Sequence, residues 1–565
     1  MQANAAGLGI FGGWRTRRGT GGWPLFAFAV AMLVSIPVLV IVGTVFVPTG
    51  EIWSHLAATV LPRYIANSVW LMVGVGIGTL AIGVGTGWLV TMYRFPGRAV
   101  FEWALLLPFA VPAYVLAYTY TGLLEFAGPF QTALREFFGW TSRAEYWFPE
   151  IRSIGGAIWM MTFVLYPYVY LLSRAAFLEQ SVCVLEVSRT LGCTRWRSFR
   201  QVALPLARPG IVAGLSFALI ETLADFGTVQ FFAVDTFTTG IFRTWIGLGE
   251  PMAAAQLGAV LMIFVFLVVA AERATRGKGR VHHTSTRYRG LPEFPLRGMM
   301  SFGAQLVCFA PVFFGFLLPG AALAVWSVET WDTMVDAAFF GYALNSFTLA
   351  ATTAAIAVAV ALVMAYGLRL APTRLMRSAT RVASMGYAIP GAVIAVGVLI
   401  AYTAVDHAVD SWMQALFGVS TGLLFTGTLA GIVFAYLVRF LAVSFNTTEA
   451  GLAKITPSMD AAARTLGRKP GAVLRQVHAP LMWGSVLTAA MLVFVDVMKE
   501  LPATLLLRPF NFDTLAIRAY QLASDERLTD ASSAALAVVL VGVVPVMMLS
   551  VAIARSRAGH ADDAR

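Results

Sequence analysis

The stretch EVSRTLGCTRWRSFRQVALPLARPG, residues 186–210, is a polar interruption in an otherwise apolar chain, and it occurs twice. The second copy, AAARTLGRKPGAVLRQVHAPLMWGS, covers residues 461–485. Arg189 and Arg464, which are 275 residues apart, open the same letters RTLG, and the letters RQV and PL recur in the same register without a gap. The repetition indicates that the chain contains two copies of one structural unit.

The residue types of the first copy predict two short helices with a bend between them. Helix-forming residues run up to Leu191, Gly192 can adopt positive φ at a helix end, and Pro205 is expected to stop the second helix. Five arginines and one acid mean that the segment faces water or a protein partner. One interpretation is a solvated loop whose charge sets topology. The duplication favours the other, a docking element used once per copy.

The composition identifies the class of protein. Of 565 residues, 58% are hydrophobic and 12% are charged, whereas soluble domains carry about a quarter charged residues. The apolar segments are about twenty residues or longer and do not alternate with polar residues, so they predict membrane helices rather than barrel strands. We therefore expect an all-α integral membrane protein.

The net charge of +11 is explained by topology. When successive loops are assigned to opposite sides, most of the 40 Lys and Arg residues fall on one side, which the positive-inside rule makes cytoplasmic. Both termini are then cytoplasmic, and no nucleic-acid partner is needed to explain the charge. The spacing of His and Cys suggests no metal site.

The predicted organisation is about twelve membrane helices in two parallel six-helix repeats, related by a pseudo-two-fold axis along the membrane normal, each with a cytoplasmic coupling segment. A tail (1–23) precedes the first half (24–271), and a basic linker (272–298) leads to the second half (299–555) and a second tail (556–565). The predicted spans are 24–47, 67–91, 99–124, 151–173, 209–232, 253–271, 300–326, 345–367, 382–404, 421–444, 484–507 and 533–554.

Acidic residues follow each polar repeat inside an apolar span. Glu221 and Asp225 are four residues apart, which predicts one helix face, and their counterparts are Asp496 and Glu500 with Lys499 between them. Charged groups in a membrane are costly unless they are paired or line a cavity. These residues either hold the halves together through hydrogen bonds and a Lys–acid pair, or line and gate a pathway for a cationic substrate.

The polar repeat resembles the EAA loop of bacterial ABC-importer permeases. Glu186, Gly192 and Pro205 carry the resemblance in the first half, and Gly467 and Pro480 carry it in the second. The second copy departs from the pattern because Ala461 stands where the glutamate belongs and Asp460 precedes it. The resemblance implies that these loops couple the permease to ATPase subunits.

The segments ETLADFGTVQFF (221–232) and KELPATLLLRPF (499–510) resemble the fused permeases of ferric-iron ABC importers. This resemblance implies a multi-pass protein of the bacterial inner membrane that works by alternating access. Its partners would be two ABC ATPase subunits, an external substrate-binding protein and membrane lipid. We expect no catalytic residues and no bound cofactor, with ATP and Mg²⁺ used by the ATPase, since the sequence lacks a phosphate-binding G-x-x-x-x-G-K-[ST] loop.

Two alternatives remain open at this stage. Related permeases carry thiamine, polyamines or phosphonates. An ion-coupled secondary transporter would also have two parallel halves and intramembrane acids, with the polar repeat incidental to its mechanism.

Overall fold

The computed structural model describes residues 22–178, 180, 190, 193–275, 294–468 and 470–556. This part of the chain is almost entirely helical. Two short strands, β1 (Tyr93–Arg94) and β2 (Phe294–Pro295), pair in parallel and join the chain before α4 to the chain before α13.

The helices of the first half are α1 (Trp23–Thr44), α2 (Gly50–Thr59), α3 (Leu61–Met92), α4 (Arg98–Ala104), α5 (Ala113–Leu124), α6 (Pro129–Phe138), α7 (Ile154–Leu178), α8 (Arg195–Ser198), α9 (Leu204–Ala224), α10 (Gly227–Phe231), α11 (Phe237–Phe242) and α12 (Pro251–Thr275).

The helices of the second half are α13 (Met299–Val312), α14 (Leu318–Glu329), α15 (Trp331–Met334), α16 (Ala337–Leu370), α17 (Arg374–Ala383), α18 (Gly391–Phe417), α19 (Leu429–Ala453), α20 (Pro457–Thr465), α21 (Pro470–Val473), α22 (Ala479–Met498), α23 (Pro502–Leu507), α24 (Leu515–Ser524) and α25 (Ser532–Ser556).

Ten helices among the described residues are long and apolar enough to cross a membrane. An eleventh crossing is present if the bent pair Arg98–Ala110 and Ala113–Phe138 counts as one span, and α25 contains a shorter apolar stretch, Ser532–Met548. The integral membrane class predicted from the sequence is therefore confirmed.

Three predicted spans are not single straight helices. The span predicted at 99–124 bends by 91° before α5, because Pro112 has extended backbone angles and cannot continue a helix. The spans predicted at 209–232 and 484–507 end early, at Ala224 and Met498, and each is followed by a separate short helix. Hydropathy is continuous across these breaks, so it did not reveal them.

Pro205 does not stop its helix, contrary to the prediction. The chain is helical from Trp196 to Ala224, with a π-helical turn at Phe199–Ala203 just before the proline. The second half has the same arrangement, with a π turn at Leu474–His478 ahead of Pro480. The wider turn removes the clash and the lost hydrogen bond that a proline otherwise brings to a helix interior.

The two halves contain matching helix clusters. Helices α3, α7 and α9 pack on one another in the first half, as α16, α19 and α22 do in the second. The side-chain amide of Asn67 donates to the carbonyl of Asp235 at 2.8 Å, and that of Asn345 donates to the carbonyl of Asp513 at 3.0 Å. The same polar contact therefore joins the first part of α3 to the loop at Asp235 and the first part of α16 to the loop at Asp513.

The first helices of the halves cross over to the opposite cluster. Helix α1 packs against α17 and α18, and its Trp23 meets Tyr366 of α16 edge-on. Helix α13 contacts α3 and α4, and α14 contacts α5. This exchange interlocks the halves at their periphery and leaves a space where the broken helices meet.

Candidate functional site

A cavity of about 130 Å³ lies where the broken helices of the two halves meet. Short helices α10 and α23 start at its wall, and side chains from α5, α7, α9, α19 and α22 complete it. All five membrane residues selected from the sequence line this cavity, together with one that was not selected: Glu221, Asp225, Asp496, Lys499 and Glu500, with Arg439.

Asp225 caps the short helix α10. Its backbone leaves the helical region at ψ 136°, and its carboxylate accepts hydrogen bonds from the backbone N–H groups of Thr228 and Val229 at 3.1 Å and from the Thr228 hydroxyl at 3.0 Å. These N–H groups have no partner within the first turn of a helix, so a carboxylate there satisfies them. The prediction that Asp225 and Glu221 share one helix face is wrong, because Asp225 lies beyond the helix end.

Glu500 performs the same task in the second half. Its carboxylate accepts from the backbone N–H groups of Ala503 and Thr504 at 3.1 to 3.2 Å. It also accepts a hydrogen bond of 3.0 Å from Arg439, and its side chain is 3% exposed. Glu500 therefore combines a helix cap with a buried ion pair.

Glu221 and Asp496 are the more accessible acids, with side chains 21% and 20% exposed. Glu221 lies 3.7 Å from the Arg439 guanidinium, and Asp496 lies 3.0 Å from the Lys499 ammonium. The expected Lys–acid pair is therefore present, but it lies within the second half, and the ion pair that joins the halves in this cavity is the one between Arg439 and Glu221. Neither acid caps a helix, so both present carboxylate oxygens to the cavity.

Arg439 is the functional candidate that the sequence analysis missed. It lies in α19 within the apolar run YLVRFLA and bridges Glu500 of its own half to Glu221 of the other. A lone arginine in a membrane span is rare and usually functional, which was the available signal. With all groups ionised, four acids face two bases, so the cavity carries a net negative charge.

Aromatic side chains close one side of the cavity. The hydroxyls of Tyr168, from α7, and Tyr387, from the turn before α18, lie 3.3 Å apart and join the two halves. Phe109 meets the Tyr168 ring edge-on at 4.5 Å, and Phe217 stacks on that ring at 6.0 Å. Phe217 lies one turn before Glu221 on α9. The aromatic side chains therefore lie next to the acids, on the side towards the start of α9.

A second contact between the halves involves Arg152 at the start of α7. Its guanidinium makes two hydrogen bonds, of 2.7 and 2.6 Å, to Glu526, and forms an ion pair of 2.7 Å with Glu125. Glu526 has φ +61°, a conformation that non-glycine residues seldom adopt. Arg152 and Tyr168 lie about 24 Å apart along α7 at 1.5 Å per residue, so the halves touch at two levels.

The predicted coupling residues are described only in part. Glu186 and Gly192 lie outside the described residues. Gly467 follows α20 with φ +73°, the positive φ expected for a glycine at the end of this helix, and Pro480 is at the start of α22. Leu466 beside Gly467 is 80% exposed. The second copy therefore forms a short exposed helix that ends at a glycine.

Among the residues that the structure describes, no group of three or more His, Cys, Asp or Glu is arranged to hold a metal ion. The cavity carboxylates are divided between caps and ion pairs.

Comparison with known proteins gives the following matches. Residues 79–271 match the family described as binding-protein-dependent transport system inner membrane component. The Fe(3+)-transport system permease protein FbpB 2 of Haemophilus influenzae is 29% identical over 86% of this chain and 90% of its own length. The putative ferric transport system permease protein FbpB 1 of the same organism is 24% identical over 88% of this chain and 77% of its own length. The sulfate transport system permease protein CysT of Escherichia coli is 33% identical, but over only 27% of this chain and 51% of its own length.

Proposed function

We infer that this chain, which belongs to the permeases of binding-protein-dependent ABC importers, forms the pathway by which ferric iron crosses the inner membrane. The resemblance noted in the sequence is confirmed by the family match and by relatives that align along most of the chain. Both of the relatives reported with this coverage are described as ferric-iron permeases. That extended similarity is the observation that carries the substrate assignment.

The charge of the cavity supports a cation rather than an oxyanion. Glu221, Asp225, Asp496 and Glu500 outweigh Arg439 and Lys499, and a cavity of one sign concentrates ions of the opposite sign. Carboxylate oxygens are also the ligand type that hard cations prefer. The sulfate permease, which aligns over only about a quarter of this chain, must accommodate the opposite charge.

The size of the cavity supports a small inorganic cargo. Its volume of about 130 Å³ is well below the roughly 300 to 1,000 Å³ of pockets that enclose drug-sized molecules. A metal ion with a few waters fits this space. Thiamine would need a larger opening, whereas a phosphonate is compact and is disfavoured by its negative charge. Thiamine, a polyamine and a phosphonate remain the alternatives that the uptake experiment compares.

We further propose twelve crossings in two parallel six-helix repeats, with both termini in the cytoplasm. The matched helix clusters, asparagine contacts, capping acids and π turns of the halves support the repeat. The distribution of Lys and Arg supports the orientation. In this arrangement the cavity lies on the pseudo-two-fold axis between residues 24–271 and 299–555.

In this proposal the energy comes from partner proteins. Two ABC ATPases bind and hydrolyse ATP with Mg²⁺, and an external binding protein delivers the cargo. The ATPases would engage the two polar repeats, through Glu186, Gly192 and Pro205 in the first and through Gly467 and Pro480 in the second. Their closure would move α9 and α22, whose far ends carry Glu221 and Asp496.

Alternating access requires contacts between the halves to break in turn. The Tyr168–Tyr387 contact and the Arg152–Glu526 ion pair lie at different levels of the same interface. We propose that the first closes the cavity towards the cytoplasm and the second closes it towards the outside. The polar groups of both contacts can exchange their partner for water, whereas opening the first contact also separates the ring of Phe217 from that of Tyr387.

Uptake by proteoliposomes that contain this chain, its ATPase and its binding protein tests the proposal. Ferric iron is compared with thiamine, a polyamine and phosphonate, and each protein is omitted in turn. We expect ATP-dependent iron uptake that needs all three proteins. Uptake of another solute would refute the iron assignment, and uptake driven by an ion gradient without ATPase would refute the importer itself.

A further inference from the structure

We propose that Asp460 is the positioning residue of the second coupling segment, residues 457–468, and that it fastens this segment to the membrane helices rather than contacting an ATPase. The coupling role of the segment rests on the function proposed above. The position of Asp460 is an observation on this chain alone.

Asp460 is buried although it lies in a short helix at the protein surface. It is 6% exposed, and its two carboxylate oxygens have separate partners. One accepts a hydrogen bond of 2.8 Å from the Arg369 guanidinium at the end of α16, and the other lies 2.6 Å from Nε2 of His478. His478 is fully buried immediately before α22. A single carboxylate thus joins α20 to two long helices.

Arg369 extends this connection to a third helix. Its guanidinium also donates to the carbonyls of Leu452 and Ile455, at 2.7 and 2.8 Å, where α19 ends. The carbonyls at a helix end have no partner within the helix, so a guanidinium there stabilises the end. Asp460 therefore holds α20 against the ends of all three helices in the cluster of the second half.

The carboxylate remains ionised in this position. Burial by itself would raise the pKa of Asp460, but the hydrogen bonds from Arg369 and His478 outweigh it and lower the pKa below its usual value. Hydrogen bonds to an ionised group are about twice as strong as neutral ones. The connection is consequently strong enough to transmit a displacement.

The neighbouring positions explain why the EAA-like pattern is displaced here. Ala461, which aligns with Glu186, is exposed, whereas Asp460 points inward. The exposed residues of the segment include Met459, at 46% exposure, and Leu466, at 80%, together with Ser458, Thr465 and Arg468. An ATPase would meet these side chains, so Asp460 is an internal anchor and does not replace the missing glutamate one residue early.

This anchor gives a direct route from the segment to the cavity. His478 precedes α22, and Asp496 lies near the other end of that helix, about 27 Å away at 1.5 Å per residue. A push on α20 reaches α22 through the Asp460–His478 contact. Loss of the carboxylate should leave the segment able to bind its partner but unable to move the helix efficiently.

The test uses the complete transporter with Asp460→Asn, which keeps the shape of the side chain and removes its charge. Glu449→Gln, at an exposed acid of α19, is the matched control. We expect Asp460→Asn to assemble with the ATPase normally, but the amount of iron transported per ATP hydrolysed should fall about tenfold. Asp460→Glu should restore part of the ratio, and Glu449→Gln should not change it.

A spin label at Leu466→Cys, with the three native cysteines replaced, reports the anchor in this chain without partners. Asp460→Asn should make the label more mobile, and this readout is valid even if the transporter does not carry iron. A label that is as immobile in Asp460→Asn as in the parent protein would refute the proposal that Asp460 attaches α20 to the membrane helices. A mobile label with an unchanged ratio of transport to hydrolysis would overturn the positioning role.

Discussion

The two halves of the cavity place a capping acid at the same point but surround it with different charges. Asp225 caps α10 and Glu500 caps α23, yet only Glu500 has a guanidinium beside it. The position that corresponds to Arg439 is Val164 in the first half, because α7 and α19 align end to end. Both halves therefore keep the capping acid, but only in the second half does a guanidinium, that of Arg439, neutralise it.

A glycine makes room for that compensation. A Cβ at Gly391 would lie 2.4 Å from the Glu500 carboxylate and 2.6 Å from the Arg439 guanidinium. The corresponding residue of the first half is Ala113, which lines the cavity near Asp225. In the second half, the ion pair beside the helix cap thus depends on a longer acid, Glu500, and a smaller neighbour, Gly391.

The largest effect is expected from Glu500→Ala. This change removes a helix cap and leaves Arg439 buried without its closest partner, so the free energy of unfolding should fall by about 3–5 kcal/mol. Thermal and denaturant unfolding of the purified chain in detergent measures the loss. A cost no greater than that of Asp225→Ala would contradict the difference drawn between the halves.

A smaller loss is expected from Gly391→Ala, which leaves every charge in place. The added methyl group must displace the Glu500–Arg439 pair, at a cost of about 1–3 kcal/mol. Gly303→Ala is the control, because a Cβ there meets nothing within 4 Å. If the two variants unfold at the same denaturant concentration, Gly391 does not shape the ion pair.

The smallest loss is expected from Asp225→Ala. It removes hydrogen bonds to the first turn of α10 but leaves no buried charge unpaired, so the free energy of unfolding should fall by about 1 kcal/mol. Asp225→Asn, whose side-chain oxygen can still accept these bonds, should recover most of the loss. A decrease as large as that of Glu500→Ala would mean that Asp225 has a charge partner in solution.

Much of the architecture could be predicted because it follows from patterns that repeat. Residue type and spacing are enough to recognise the duplicated polar segment, the apolar spans and the paired acids. The five selected membrane residues meet at one cavity, as expected if the two halves are related by the proposed pseudo-two-fold axis. The position of Lys499 three residues after Asp496 also favoured an ion pair on one helix face, which the structure contains.

The roles of the individual acids could not be read from the same spacing. The separation of four positions between Glu221 and Asp225 suggests a shared helix face, but the helix ends at Ala224, and the hydropathy is unchanged there. A capping pattern was available, because Thr228 follows Asp225 by three residues. The partner of Glu500 was beyond reach, since Arg439 is distant in sequence and only the packing of α19 against α23 brings it close.

Proline gave the least reliable prediction. Pro205 was expected to end a helix, but a π turn that ends two residues earlier accommodates it, and Pro480 has the same arrangement. Pro112, in contrast, does mark the 91° bend. The local sequence does not distinguish the two outcomes, because both depend on whether neighbouring helices hold the chain straight.

The measurement that tests the central claim most directly is ferric-iron uptake by the double variant Glu221→Gln/Asp496→Asn, in proteoliposomes with the ATPase and binding protein. These two acids cap no helix, and Arg439 keeps its closest partner, Glu500, so the variant should lose less stability than Glu500→Ala, and uptake is compared at equal amounts of folded protein. Removal of the two negative charges that face the cavity should lower the initial uptake rate roughly tenfold or more. Uptake at the wild-type rate would show that these carboxylates do not meet the cargo, and would contradict the assignment of this cavity as the pathway.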